Sequence, residues 1–89
     1  MIHTVLAYAE VQLNATVLAA CVDEDRKRII VLSRNNQSKE LMCHCHSTDP
    51  DATPGFYWGG YGECSARQSW EERTSHLLCP VDGVKATPA

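Results

Sequence analysis

The sequence predicts an α+β fold, an antiparallel sheet of four or five strands with one C-terminal helix packed on one face. Three observations carry this expectation. Short β-branched or alternating runs recur at residues 17–22, 28–33, 40–47 and 56–62. Polar or Pro/Gly-rich stretches of turn-forming residues separate them. A helical stripe of Ala66, Trp70 and Leu77, with Leu78 beside it, follows the last run. A chain of 89 residues holds one such core, so residues 1–79 are expected as a single domain and 80–89 as a loosely held tail.

Taken in order, Val5, Ala7, Ala9, Val11 and Leu13 recur at every second position, which reads as a first strand over residues 3–13. The alanine content, with Leu6, Ala9 and Leu13 at helical spacing, keeps a helix as the alternative. Residues 17–22 and 28–33 flank Asp23-Glu24-Asp25-Arg26-Lys27, a polar stretch short enough for a hairpin connection. Ile29-Ile30-Val31-Leu32 is apolar at every position and suits a central strand covered on both faces. After the turn-rich connector 34–38, residues 40–47 alternate again. Leu41, Cys43 and Cys45 share one face there, and Met42, His44 and His46 share the other.

Pro50, Pro54 and Gly55 make residues 48–55 a long loop, because neither proline fits inside a paired strand. Residues 56–62 form an aromatic strand with Phe56 and Trp58 on one face and Tyr57 and Tyr61 on the other. Gly59, Gly60 and Gly62 mark a bulge or a close backbone approach. Ser65-Ala66-Arg67-Gln68 has the spacing of a capping box, so the helix is expected to start at Ser65 and to stop before Pro80. Arg67, Glu71, Glu72 and Arg73 are expected to meet water.

Composition narrows the function classes. An apolar share of 44% and a charged share of 21% exclude a disordered chain, a collagen-like repeat and a coiled coil. A net charge of −3 lacks the basic excess that phosphate binding requires, and Asp23, Glu24 and Asp25 neutralise Arg26-Lys27-Arg28. Direct nucleic-acid binding is therefore not expected. Leu18-Ala19-Ala20-Cys21 resembles a lipoprotein cleavage site, and Asn14-Ala15-Thr16 and Asn36-Gln37-Ser38 fit the glycosylation acceptor pattern. Yet no Lys or Arg precedes Arg26, and Glu10, Gln12 and Asn14 interrupt the apolar run that a signal needs. With no membrane partner indicated, the expectation is a cytoplasmic protein whose five cysteines are thiols or metal ligands rather than disulfides.

Two clusters carry chemistry on paper. Thiolate and imidazole are the preferred zinc ligands, and Cys43, Cys45 and Cys64 with either Cys79 or His76 make a four-ligand set, the zinc-stabilised alternative. The opposing reading takes Cys43, Cys45 and Cys21 as small buried hydrophobes, with no cofactor. A nucleophilic site drawn from Cys64, His76 and Asp51 lacks any recognisable nucleophile turn, so no enzyme is expected. The second cluster is Met42, His44, His46, Tyr57 and Tyr61, which share one sheet face if the fourth and fifth strands pair. Tyrosine and methionine are enriched in protein interfaces, so this face is the candidate binding surface for a protein partner. The alternative is that the same face packs under a helix as core. An unpaired strand edge over residues 57–61 leaves a homodimer open.

Trp58-Gly59-Gly60-Tyr61, followed by Ala66 and then Trp70-Glu71-Glu72-Arg73, resembles a strand-to-helix pattern of small bacteriophage and mobile-element proteins. These include inhibitors of bacterial defence systems such as anti-CRISPR proteins. The resemblance implies a compact, acidic, non-catalytic inhibitor that acts by occluding a surface of a larger host complex. It carries over no functional residue.

Overall fold

A computed structural model describes residues 2–48 and 56–77, with the backbone alone for residues 2–3 and 56–58. The elements run α1 (Ile2–Val11), β1 (Ala15–Asp23), β2 (Arg28–Asn35), β3 (Leu41–Ser47), β4 (Phe56–Tyr61) and α2 (Glu63–Thr74). The four strands pair antiparallel in chain order, β1-β2-β3-β4. Each strand after the first therefore joins its immediate predecessor, as short connections favour. The α+β arrangement with an antiparallel sheet and a C-terminal helix is as expected, and a second helix is added at the N-terminal end. The expected loop over 48–55 lies outside the described residues beyond Thr48, as does the tail 80–89.

The stretch expected as the first strand is a helix. A strand over residues 3–13 would bury Ala7 and Val11 along with Val5 and Ala9. Instead Val5 and Ala9, four apart, are buried with Leu6 and Tyr8 partly covered beside them, while Ala7 is exposed and Val11 is 73% exposed. That is one helical face, and alanine is the best helix former. The helix ends at Val11, and three residues on, just before β1, Asn14 takes a left-handed φ of 49°, a conformation asparagine tolerates better than most residues.

Between β1 and β2, the Asp23 carboxylate accepts from the Arg26 amide (3.2 Å) and closes the turn that the sequence led one to expect. Asn35 does the same after β2, accepting from the amides of Gln37 (2.9 Å) and Ser38 (2.8 Å). Leu18 is an extra residue in β1, a bulge between Val17 and Ala19 in the pairing with β2.

The sheet is covered on both sides. On one face Ala19, Cys21, Ile30, Leu32, Leu41, Cys43 and Cys45 pack with Ala66 and Trp70 of α2. On the other, Ala20, Ile29 and Val31 pack with Val5 of α1. This is why Ile29-Ile30-Val31-Leu32 is apolar throughout: successive side chains enter different cores. Burying Trp70 contributes about 2–3 kcal/mol at the usual area coefficient.

Glycine sets how closely α2 lies on β4. A β-carbon at Gly60 would come within 2.7 Å of the Ser65 carbonyl carbon and 3.0 Å of the Ala66 nitrogen, so helix and strand backbones touch there. The helix starts at Glu63 rather than at the expected capping box, and Ser65 lies within its first turn. Gly62 occupies the N-cap with φ 91° and ψ 164°, a backbone open essentially to glycine alone, and its carbonyl accepts from the Ala66 amide at 2.9 Å. No side chain caps this helix. It also ends at Thr74, six residues before Pro80, so Leu77 lies beyond it yet still packs on the Trp70 core. Arg73, expected in water, is half-buried and donates to the buried Ser69 hydroxyl, completing the stripe Ala66, Ser69, Trp70, Arg73.

Candidate functional site

Strand β3 places its chemistry-bearing residues in alternation, as its sequence predicts. Cys43 and Cys45 turn towards α2, and Met42, His44 and His46 turn the other way. All five are buried. Met42, His44 and His46, read from the sequence as part of a binding surface, thus form interior packing instead. The reason is the unexpected helix: α1 lies on this side of the sheet, and the Tyr8 ring meets the His46 ring edge-on at 5.6 Å with a 75° interplanar angle.

Polar groups within this interior are joined. Ser33 Oγ and His44 Nε2 are 3.2 Å apart, and His44 Nδ1 and His46 Nε2 are 2.7 Å apart. The register explains the chain, since Ser33 pairs with Met42, Val31 with His44 and Ile29 with His46 on adjacent strands. Burial, and then the neighbouring His46, hold the His44 imidazole down at about 3. Burial likewise lowers His46. Both rings are neutral at pH 7, one donating to the other. A serine, a base and a group orienting that base recur in hydrolases, but the Ser33 hydroxyl has no solvent access from which to reach a substrate.

Tyr61, the fourth strand's last residue, is half exposed. The side chain of Tyr57 lies outside the described residues. Their backbone register nevertheless corrects the expectation that the two tyrosines share a face. Gly59 forms a bulge between the pairs Cys43↔Gly60 and His44↔Trp58, so Tyr61 stands opposite Met42 while Tyr57 stands opposite Cys45. One extra residue reverses the parity of everything before it.

The zinc set does not assemble among the described residues. Cys43 and Cys45 are buried in the Trp70 core, while Cys64 is exposed in the first turn of α2. Burial first, and then Cys45 nearby, push the Cys43 thiol up to about 11 against the opposing pull of Ser69 and Arg73, so it is protonated at pH 7. Cys79 lies outside the described residues. No three His, Cys, Asp or Glu side chains among the described residues are grouped to hold a metal ion. Cys64 stands in the first turn of α2, whereas His76 lies two residues beyond its end against Asp23, so the helical run 64–74, about 15 Å at 1.5 Å per residue, separates them and they form no nucleophile–base pair.

Sequence reading missed the cluster around Asp23. Although it lies in an acidic turn that looked solvated, its carboxylate is 1% exposed. Arg26 Nη1 and Arg28 Nε each lie 3.4 Å from Oδ2, and His76 Nε2 lies 3.6 Å from it and 3.1 Å from Arg26 Nη1. Burial alone would raise this carboxyl, but the Arg26 amide and guanidinium together with Arg28 outweigh it and hold Asp23 below the usual carboxylate range. The cluster ties the β1–β2 turn to the segment after α2. The turn-forming Asp at the first position of a hairpin loop was the available signal.

Compared with known proteins, the chain matches no family model, no curated protein and no solved structure. No helix among the described residues is long and apolar enough to cross a membrane.

Proposed function

We propose that this chain is a small non-catalytic protein-binding module that works by covering a surface of a larger partner. The observation that carries the reading is the edge strand β4. Its sequence Phe56-Tyr57-Trp58-Gly59-Gly60-Tyr61 is aromatic-rich, it has β3 on one side, and among the described residues no strand pairs with its other side. Edge strands offer main-chain donors and acceptors to an incoming strand, and tyrosine adds large contact area with modest polarity. The close approach of Gly60 to the Ser65–Ala66 backbone of α2 fixes this edge against the helix, so little ordering would remain to be done on binding. The resemblance of 58–61 and 66–73 to phage and mobile-element inhibitors supports a host defence complex as the partner, with steric occlusion as the mode of action.

The test is affinity capture from a bacterial lysate with the wild-type chain and Tyr61→Glu side by side. The expected result is a set of proteins held by the wild type and lost from the variant, because a charge at the half-exposed edge position opposes docking. Unchanged capture by Tyr61→Glu, or none by the wild type, sinks the reading.

A further inference from the structure

The interior beneath α1 joins the N-terminal helix to the middle of the sheet through rings and hydrogen bonds rather than through aliphatic packing alone. From α1, Tyr8 sets its ring edge against His46. From β3, His46 meets His44 through the 2.7 Å contact, with ring centroids 4.9 Å apart. From β2, Ser33 closes the chain at His44 Nε2, and Ile29 and Val31 on the same face carry no charge. Along α1, the buried Val5 and Ala9 are likewise apolar, and Glu10 is exposed. From β1, Ala20 and Val17 on this face are apolar, and from β4 Tyr61 stands opposite Met42, so the titratable groups described on this side of the sheet are Tyr8, Tyr61 and the two histidines themselves.

The geometry points to a proton-sensitive latch: uptake of protons by the His44–His46 pair undocks α1 from the sheet while α2 stays in place. In the neutral pair a single hydrogen occupies the contact between Nδ1 and Nε2. A first added proton places a charge in a dry interior, which burial opposes. A second puts an N–H on each of the two facing nitrogens, and the 2.7 Å contact can no longer exist. Both rings must then reach water, and His46, 8% exposed and bordered by Tyr8, is the member nearest to it. The cheapest opening lifts α1, because a ten-residue helix has little stability of its own and this one is held by Val5, Leu6, Tyr8 and Ala9. The core around Trp70 lies on the opposite face of the sheet and keeps its contacts.

The experiment follows backbone amide exchange, corrected for intrinsic rates, from pH 7.5 to 4 in the full chain, together with the imidazole resonances of His44 and His46. The expected result is that α1 amides lose protection as pH falls below about 6. Their opening equilibrium rises about tenfold per pH unit for each linked proton, while α2 amides remain protected. His44→Phe/His46→Phe, which keeps rings but removes the titration, holds α1 protection constant over the same range. Should that variant not fold, Tyr8→Leu supplies the second reading, moving the loss of protection to higher pH. The latch is overturned by α1 protection that persists to pH 4, by α1 and α2 opening at the same pH, or by an acid response that survives in the double phenylalanine variant.

Discussion

Replacing Gly60 with alanine tests whether the backbone contact between β4 and α2 organises this end of the molecule. The added methyl group has nowhere to go: the Ser65 carbonyl and the Ala66 amide nitrogen, both main chain, stand within 3.0 Å of where it would sit. Relief requires the helix to move outward, and Ala66 and Trp70 move with it. Overpacking of this kind costs about 1–3 kcal/mol. For a domain of this size each kcal/mol lowers Tm by roughly 4–8 °C, so Gly60→Ala is expected to melt about 5–20 °C below the wild type. Gly59→Ala is the internal control. Its methyl group would meet the Ser69 hydroxyl at 2.5 Å and the Arg73 guanidinium carbon at 3.1 Å, which are side-chain atoms able to turn aside. Urea and thermal unfolding followed by tryptophan fluorescence measure both variants. A Gly60→Ala protein that melts within about 1 °C of the wild type, or a Gly59→Ala protein that melts lower than Gly60→Ala, refutes the argument.

Three further outcomes are expected. His44 is held near 3 when folded against about 6.5 when unfolded, so its contribution is complete above pH 6.5 and drains away as pH falls towards 3. Acidification from pH 7.5 to 5 should lower the unfolding free energy by about 2 kcal/mol through this residue, measured as a shift in urea midpoint. Asp23 has the more usual sign: its folded value is lowered, so its stabilisation is present above the unfolded value near 4 and is lost as pH falls through the folded one. Asp23→Asn should therefore destabilise the chain at pH 7 by about 1–3 kcal/mol, with the difference closing below pH 4. Among the thiols, Cys64 should alkylate fast and Cys21, Cys43 and Cys45 slowly, and native mass spectrometry should return the metal-free mass. A retained zinc would return Cys43 and Cys45 to the status of ligands.

Legibility followed the strength of local patterns. The central run Ile29–Leu32, the alternation of 41–46 and the turn at Asp23 were readable because burial on a pleated strand has period two and hairpin loops have few chemistries. Residues 3–13 were not, because alanine and valine at every second position fit a strand while Val5, Leu6 and Ala9 fit a helix. Nothing local decides between them. What decided was the sheet face left bare by β1 and β2, a feature visible only after folding. The same omission turned Met42, His44 and His46 into a surface on paper. The tyrosine faces failed for a smaller reason, a single bulge at Gly59, and glycine had signalled a bulge without saying where parity would change. Ser65 looked like a cap because its spacing to Gln68 was right, but a serine three residues later than Gly62 cannot compete once β4 delivers the chain in a glycine-only conformation.

The order β1-β2-β3-β4 has a consequence for how the molecule is made. Each strand pairs with its predecessor, and the cluster Val5, Ala20, Ile29 and Val31 draws its members from the first 31 residues, with Met42, His44 and His46 of β3 added to the same face later. A nascent chain can therefore bury its first apolar cluster while β3 is still inside the ribosome. Every later segment is added onto a formed edge rather than threaded into a gap, so chain entropy is spent in small loop closures. The strand order thus permits assembly in chain order, with α2, the last of the described elements, packing on the opposite face against Gly60.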